Sequence, residues 1–357
     1  MGRTPPSGTS AVWVKTVFAK TRVFKVMKGK RKMKVSILTT AYNHAPYIAR
    51  ALDSFLEQKT SFAFEIIVHD DASEDGTAEI IRQYAERYPT MIKTIFQEKN
   101  QYSQGADIYS FMKPLITGEY IAQCEGDDFW CDPQKLQKQV DYMDAHPECS
   151  YCFCNSYNVD LNSRIIGEQT PVDVSRVFSS REIIAAPEIF LATAGTLYRT
   201  RDAAEFPKEF LAGEAGDIPL RQFLMLRGNA YGFAERMCCY RMMTPGSCSD
   251  RYRREMKKNS PKFLKINEDY IRFYKAFDDY TQGRYHEELA SKLNLRLYQV
   301  YRMKSDWKAL HTPPFDTMFR SCPAKQKAIV FVKYYFPCLV KAYRLARYGK
   351  KGMEKEY

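Results

Sequence analysis

The sequence predicts an α/β protein built on a mostly parallel sheet with helices on its faces. Near-continuous apolar runs alternate with helical stretches over residues 34–157. Strands separated by helices of this length become parallel neighbours. Polar clusters also stand just after three of the apolar runs, at the strand ends where such sheets bind ligands.

The elements follow in order. "KVSILTT" (34–40) suits a strand buried on both faces. Pro46 opens the helix "PYIARALDSFLEQ", with Ile48, Leu52, Phe55 and Leu56 on one stripe. "FEIIVHDD" is the second strand. "DGTAEIIRQYAERYP" is the second helix, with Ser73 or Asp75 as its N-cap and Pro89 past its end. "MIKTIFQ" is a short strand, "ADIYSFMKPLI" a helix interrupted by proline, and "EYIAQC" the fourth strand. "DPQKLQKQVDYMDAHP" is a helix with Pro133 at its first position, and "CSYCFCNSY" is a further strand. Beyond residue 155 the pattern turns irregular. "TAGTLYR" alternates like a strand, "GDIPLRQFLMLRG" is a helix opened by Asp217, and "AYGFAERMCCYRMM" reads as a strand pair. After residue 250 the chain is all-helical.

Charge separates function classes. Of the net +12, +10 lies in residues 1–34 and +4 in residues 341–357, which leaves about −2 between them. A basic nucleic-acid groove through the main body is not supported, and no nucleic-acid partner is expected. No apolar run reaches the roughly 18 residues of a membrane span, and no secretory signal is evident. The segment "AVWVKTVFAKTRVFKVMKGKRK" mixes apolar and cationic residues. It either lies on an anionic membrane surface or is a disordered upstream extension, Met33 being a natural start. The ten cysteines show no zinc spacing, and free thiols favour a reducing, cytoplasmic setting.

Glu125, Asp127 and Asp128 crowd the turn "CEGDDFW". A lone acidic triplet is ordinarily a solvated turn. At the end of a buried strand, such crowding points to a cation between the carboxylates. Oxygen ligands suit Mg²⁺ or Mn²⁺, shared with a substrate diphosphate. In "HDDASEDGT", turn and cap chemistry explains Ser73, Asp75, Gly76 and Thr77 but does not need His69, Asp70 or Asp71. A carboxylate there can accept from a base N–H or a ribose hydroxyl. No GxGxxG or P-loop sequence is present. Spacing alone leaves Asp217 open as a plain helix cap.

"VSILTTAYNHAPYIARALDSFLEQ", "IIVHDDASEDGT" and "GEYIAQCEGDDFW", in this order, resemble the successive motifs of the family 2 glycosyltransferases, which have the GT-A fold. The resemblance spans about residues 34–245 and continues into "GDIPLRQFLMLRGNAYGFAERMCCYRMM". It implies a GT-A-type, Rossmann-like sheet and a nucleotide-sugar donor. Thr40, Ala41, Tyr42 and Asn43 match the loop beneath the base. Asp70 and Asp71 match the acids near uracil and ribose. Glu125, Gly126 and Asp127 match the DxD motif, with Asp127 and Asp128 as the metal ligands, for Mn²⁺ or Mg²⁺. Asp217 matches the catalytic base of inverting members. Two positions depart from the pattern: Glu125 replaces the first Asp, and Met243 stands where many relatives have a histidine.

The expected organisation is a basic leader (1–33), a glycosyltransferase domain (34–248) and a helical extension (249–357). Residues 34–154 would form the domain's nucleotide-binding half and residues 155–248 its acceptor half. The expected activity is inverting transfer of a sugar, hexosyl or N-acetylhexosaminyl, from a UDP-sugar to a glycan or lipid-linked acceptor in bacterial surface polysaccharide synthesis. Peripheral contact with the inner face of the membrane would run through the basic termini. The rivals are a degenerate, glycan-binding family member and a nucleotidyltransferase, whose glycine- and lysine-rich phosphate loop "TTAYNHAPYI" lacks.

Overall fold

A computed structural model describes residues 32–188, 191–211 and 216–348. Most of the basic leader therefore lies outside the described residues. Ten strands form one sheet: β1 (Val35–Ala41), β2 (Phe64–Asp70), β3 (Ile92–Phe96), β4 (Tyr120–Gln123), β5 (Phe129–Trp130), β6 (Cys149–Val159), β7 (Ile165–Gln169), β8 (Arg176–Phe178), β9 (Leu197–Arg199) and β10 (Asn229–Arg241). Its main path is β3-β2-β1-β4-β9-β6-β10-β5, with β7 beside β6 and β8 beside β10.

β3, β2, β1 and β4 are parallel, as expected, and so are β6 and β10. The other pairings are antiparallel, so antiparallel strands join and flank the parallel groups. β9 enters antiparallel between β4 and β6 and joins the two parallel groups. Parallel neighbours require long crossovers, whereas an antiparallel strand can follow a short connection. The segment expected to be a strand pair is one 13-residue strand, β10. Register shifts near Phe233 and Arg236 take up its extra residues as bulges, so no turn is needed. Pro46 and Pro133 sit in turns, two residues ahead of helices Ile48–Leu56 and Lys135–Ala145.

β1, β2 and β4 are buried on both faces, and their alternation sorts the core. Val35, Ile37, Ile66 and Val68 point to a cluster with Ile48, Leu52, Phe55, Ile81 and Leu136 from the helices. Leu38, Ile67 and Ile121 point the other way, to a cluster completed by Phe223, Ile266, Tyr270, Phe273, Tyr274 and Phe277. The helical extension thus shares a core with the sheet. Helix Pro261–Tyr280 buries its apolar stripe there, and each fully buried large side chain contributes about 1.5–3 kcal/mol. Arg296, on helix His286–Lys304, ties the same region together. It pairs with Glu188 and donates to the Tyr252 hydroxyl (3.0 Å) and Asn267 Oδ1 (3.1 Å).

Candidate functional site

Parallel pairing in register brings the ends of β1 and β2 together, with Thr40 opposite His69 and Ala41 opposite Asp70. β4 lies on the other side of β1. The β1–β4 ladder runs on into the acidic turn, where Leu38 O accepts from Cys124 N–H (3.1 Å) and Thr40 O from Gly126 N–H (2.9 Å). All three sequence-predicted clusters therefore share one rim.

The loops after β1 and β2 are laced together. Asn43 N–H donates to Ser73 Oγ (2.9 Å), His44 N–H to Thr77 Oγ1 (2.8 Å) and Ala45 N–H to Asp75 Oδ2 (3.0 Å). Glu74 N–H returns a bond to Asn43 Oδ1 (2.8 Å). Asn43 adopts φ 55° to make this exchange. Helix Thr77–Arg87 begins after Gly76 at φ 92° and has no side-chain N-cap bond. Ser73 therefore serves the neighbouring loop instead of a cap, while Asp75 Oδ1 also holds Thr77 N–H (3.1 Å). Tyr42 is 40% exposed at the mouth of this lacing.

The two acids of "HDD" have different surroundings. Asp71 accepts from Gln101 N–H (2.8 Å) and Tyr102 N–H (3.0 Å), so its carboxylate anchors the loop after β3. Asp70 Oδ2 accepts only from Ser73 N–H, at 3.2 Å, and its buried Oδ1 has no partner. His69 is fully buried, stacks on Phe111 at 5.7 Å, and is held below its ordinary pKa by burial. It is a neutral packing residue.

Glu125, Asp127 and Asp128 place carboxylate oxygens within 4.8 Å of one another. Asp128 N–H donates back to Glu125 O (3.0 Å) and closes the turn. Gly126 is closely approached by side chains. A Cβ there would stand 2.9 Å from Ile48 Cδ1 and 3.0 Å from His44 Nδ1. Burial pushes the Glu125 carboxyl up to about 8, aided by Asp127 and then Asp217. Burial, then Asp127 and Glu125, push Asp128 well above the carboxylate range. Its Oδ1 accepts from Arg241 N–H (2.7 Å), while its buried Oδ2 has no hydrogen-bond partner.

Arg241 pins this turn from behind. Its guanidinium donates to Asp127 O (2.8 Å), Asp160 O (2.7 Å) and Ser163 Oγ (3.0 Å), and it lies 4.4 Å over the Tyr47 ring. Three hard-oxygen donors around a buried orphan acceptor fit a divalent cation of the Mg²⁺ or Mn²⁺ type. Met243 adopts φ 70°, is exposed, and has its sulfur against the Arg253 guanidinium. A thioether adds little to a hard-cation site.

Asp217 is the first residue of helix Asp217–Leu224, whose N-cap position is Gly216. It is exposed, and its packed surroundings raise its pKa while Arg221 opposes the rise. It lies close enough to Glu125 for the two charges to interact. Beside Asp217 opens a small cleft lined by Gln123, Tyr151, Thr196, Tyr198, Asp217 and Arg221, among others. Gln123 Nε2 and Arg221 Nε are buried without a partner.

Sequence reasoning missed Gln123, Arg221 and Tyr109. Burial raises the Tyr109 pKa, and Glu125 is the next cause. Tyr109 comes from a short helix with no motif, Ile108–Met112, so only the fold brings it beside the acids. Arg241 had a signal in the "YR" pair, but its role as a backbone pin did not.

A curled, mixed sheet with an acidic turn at the rim of its parallel strands defines an α/β protein of the GT-A type. The family described as glycosyl transferase family 2 matches residues 36–201. Residues 36–201 of the chain are thus similar to that family. An uncharacterized protein of Mycobacterium tuberculosis is 34% identical over 226 residues, 61% of this chain and 61% of that one. The chain therefore spans about 61% of that relative's length. Chondroitin synthase of Escherichia coli is 28% identical over 170 residues, 47% of this chain and 24% of the other. Two solved structures share the fold. TarS of S. aureus with UDP-GlcNAc has a TM-score of 0.53 at 18% identity, covering 80% of this chain and 84% of that chain. The mannosyltransferase PcManGT of Pyrobaculum calidifontis, with GDP-Man and Mn²⁺, has a TM-score of 0.51 at 16% identity, covering 90% and 89%.

Proposed function

We propose that the chain is an inverting glycosyltransferase. It takes a sugar from a nucleoside diphosphate donor, a UDP-sugar, and transfers it to a hydroxyl of a glycan or lipid-linked acceptor. The observation that carries this reading is the clustered Glu125–Asp127–Asp128 turn, with Asp217 near enough to Glu125 for their charges to interact and lining an adjoining cleft. Thr40, Ala41, Tyr42, Asn43 and Asp70 border the base and ribose side, with Asp70 Oδ1 as an unpaired acceptor. Asp71 holds the neighbouring loop. Asp127 and Asp128 would hold Mn²⁺ or Mg²⁺, with Glu125 nearby. When bound, the cation would neutralise charge on the departing diphosphate. Asp217 would take the proton from the acceptor hydroxyl as that oxygen attacks the anomeric carbon. Its raised pKa suits a base, because it makes the carboxylate a better proton acceptor.

The bound nucleotide sugars of the two structural neighbours support the donor class, and the Escherichia coli relative's name supports a polysaccharide setting. Among the described residues no helix is long and apolar enough to cross a membrane. The nine described cysteines are free, which supports work on the reducing side of the cell membrane.

The test is transfer and UDP binding with Mn²⁺ present. Asp217→Asn should lower transfer by about 10²–10⁴-fold while leaving UDP affinity intact. Asp127→Ala should abolish the Mn²⁺-dependent part of UDP binding. Full transfer by Asp217→Asn would remove the base assignment. A degenerate binding protein is the second reading, favoured by Glu125 and by the sulfur of Met243 facing Arg253. Thermal shifts that answer to glycans but to no nucleotide sugar with Mn²⁺ would select it.

A further inference from the structure

The last two described helices, Ala324–Tyr335 and Pro337–Tyr348, present an unusual surface. Helix Pro337–Tyr348 has its preceding helix as its main packing partner, and none of its described residues is buried. Yet Leu339 is 64% exposed, Tyr343 57% and Leu345 48%. Val332 and Phe336 continue this apolar surface on the preceding segment. Only one side of helix Ala324–Tyr335 is anchored, through buried Val330 and through Phe331 against Trp307 at 5.3 Å. A solvated helix normally turns polar residues outward and hides its apolar stripe. Here the apolar side chains are outside.

Charge selects the occupant. Residues 324–348 hold six Lys or Arg and no Asp or Glu. The cations are interleaved with the exposed aromatic and aliphatic residues along both helices. Helices that lie in the plane of an anionic bilayer combine apolar residues at headgroup depth with Lys and Arg beside the lipid phosphates. A second protein surface would need both an apolar face and a strongly acidic one to match.

We infer that this terminal helical pair docks on an anionic phospholipid bilayer. It holds the folded body at the surface without spanning the membrane. The inference stands independently of the proposed transfer activity.

Sedimentation of the full-length chain with phosphatidylcholine vesicles, with and without phosphatidylglycerol, tests it. Binding should be at least tenfold stronger to the anionic vesicles. It should weaken toward about 1 M salt, where charges are screened within about 3 Å. Leu339→Glu with Tyr343→Glu should weaken vesicle binding about tenfold or more. Both residues are exposed, so circular dichroism and the denaturation midpoint should hold. Undiminished vesicle binding by the double variant would overturn the inference. So would vesicle binding that ignores lipid charge, or a dimer that the same substitutions dissolve in a chain that ignores vesicles.

Discussion

At the scale of single residues, adjacent acids in one motif do different work. Asp71 spends its carboxylate on two backbone amides of the loop after β3, whereas Asp70 keeps a buried oxygen with no partner. Removing Asp71 takes away an acceptor shared by Gln101 and Tyr102, and losing such charge-assisted bonds costs about 1.5–3 kcal/mol. Asp71→Ala should therefore lower the free energy of unfolding by about 2 kcal/mol in a urea titration. Asp70→Ala should leave that titration within about 1 kcal/mol, because it loses only a long bond to Ser73. It should instead weaken UDP binding about tenfold by calorimetry, the effect of losing one good hydrogen bond to ligand. Equal stability losses in the two variants, with unchanged UDP affinity in both, would refute the division.

At the scale of elements, a buried carboxylate joins β1, β2 and the approach to β4. Glu65 is 1% exposed. It accepts from Ser36 Oγ (2.7 Å) and from Thr117 N–H (2.8 Å), and pairs with Lys93 Nζ (2.6 Å). Burial works to raise its pKa, but Lys93, Ser36 and Thr117 together bring it below the ordinary 4.5. The folded state thus holds the charge to lower pH than the unfolded chain does. This contribution is complete above the unfolded value and is lost as pH falls through the folded one. Glu65→Gln should cost about 2 kcal/mol at pH 7 and flatten the decline of stability below about pH 4.5. A parallel pair of stability–pH curves for the two proteins would contradict this.

At the scale of the whole molecule, the helical extension completes the core on one face of the sheet. Ile266, Tyr270, Phe273, Tyr274 and Phe277 pack with Leu38, Ile67 and Ile121 from the strands that carry the site. The expected boundary near residue 248 therefore marks a change in pattern, and we propose that it does not mark an independently folding unit. A chain ending at residue 248 should lose its near-UV circular dichroism and its cooperative urea transition. Phe273→Ala in the full chain should cost about 3–5 kcal/mol. An intact transition in the shortened chain would show that the sheet's other contacts suffice.

The sequence by itself determined the α/β class, the parallel character of the first strands and the gathering of the polar loops on one rim. Local physics governs each of these. Apolar runs specify buried strands, helical periods specify crossovers, and parallel strands put their following loops on one edge. It also picked out Glu125, Asp127 and Asp128 as a crowded turn, because like charges at the end of a buried strand ask for a cation. Only the tertiary structure decided that β9 enters antiparallel, that residues 229–241 form one bulged strand, and that Asp71 is anchored while Asp70 is open. Tyr109 reaches the acids from a motif-free segment, and Gln123 and Arg221, from separate stretches, line one cleft. Their placement depends on side chains meeting across long stretches of chain, and periodicity carries no record of such meetings.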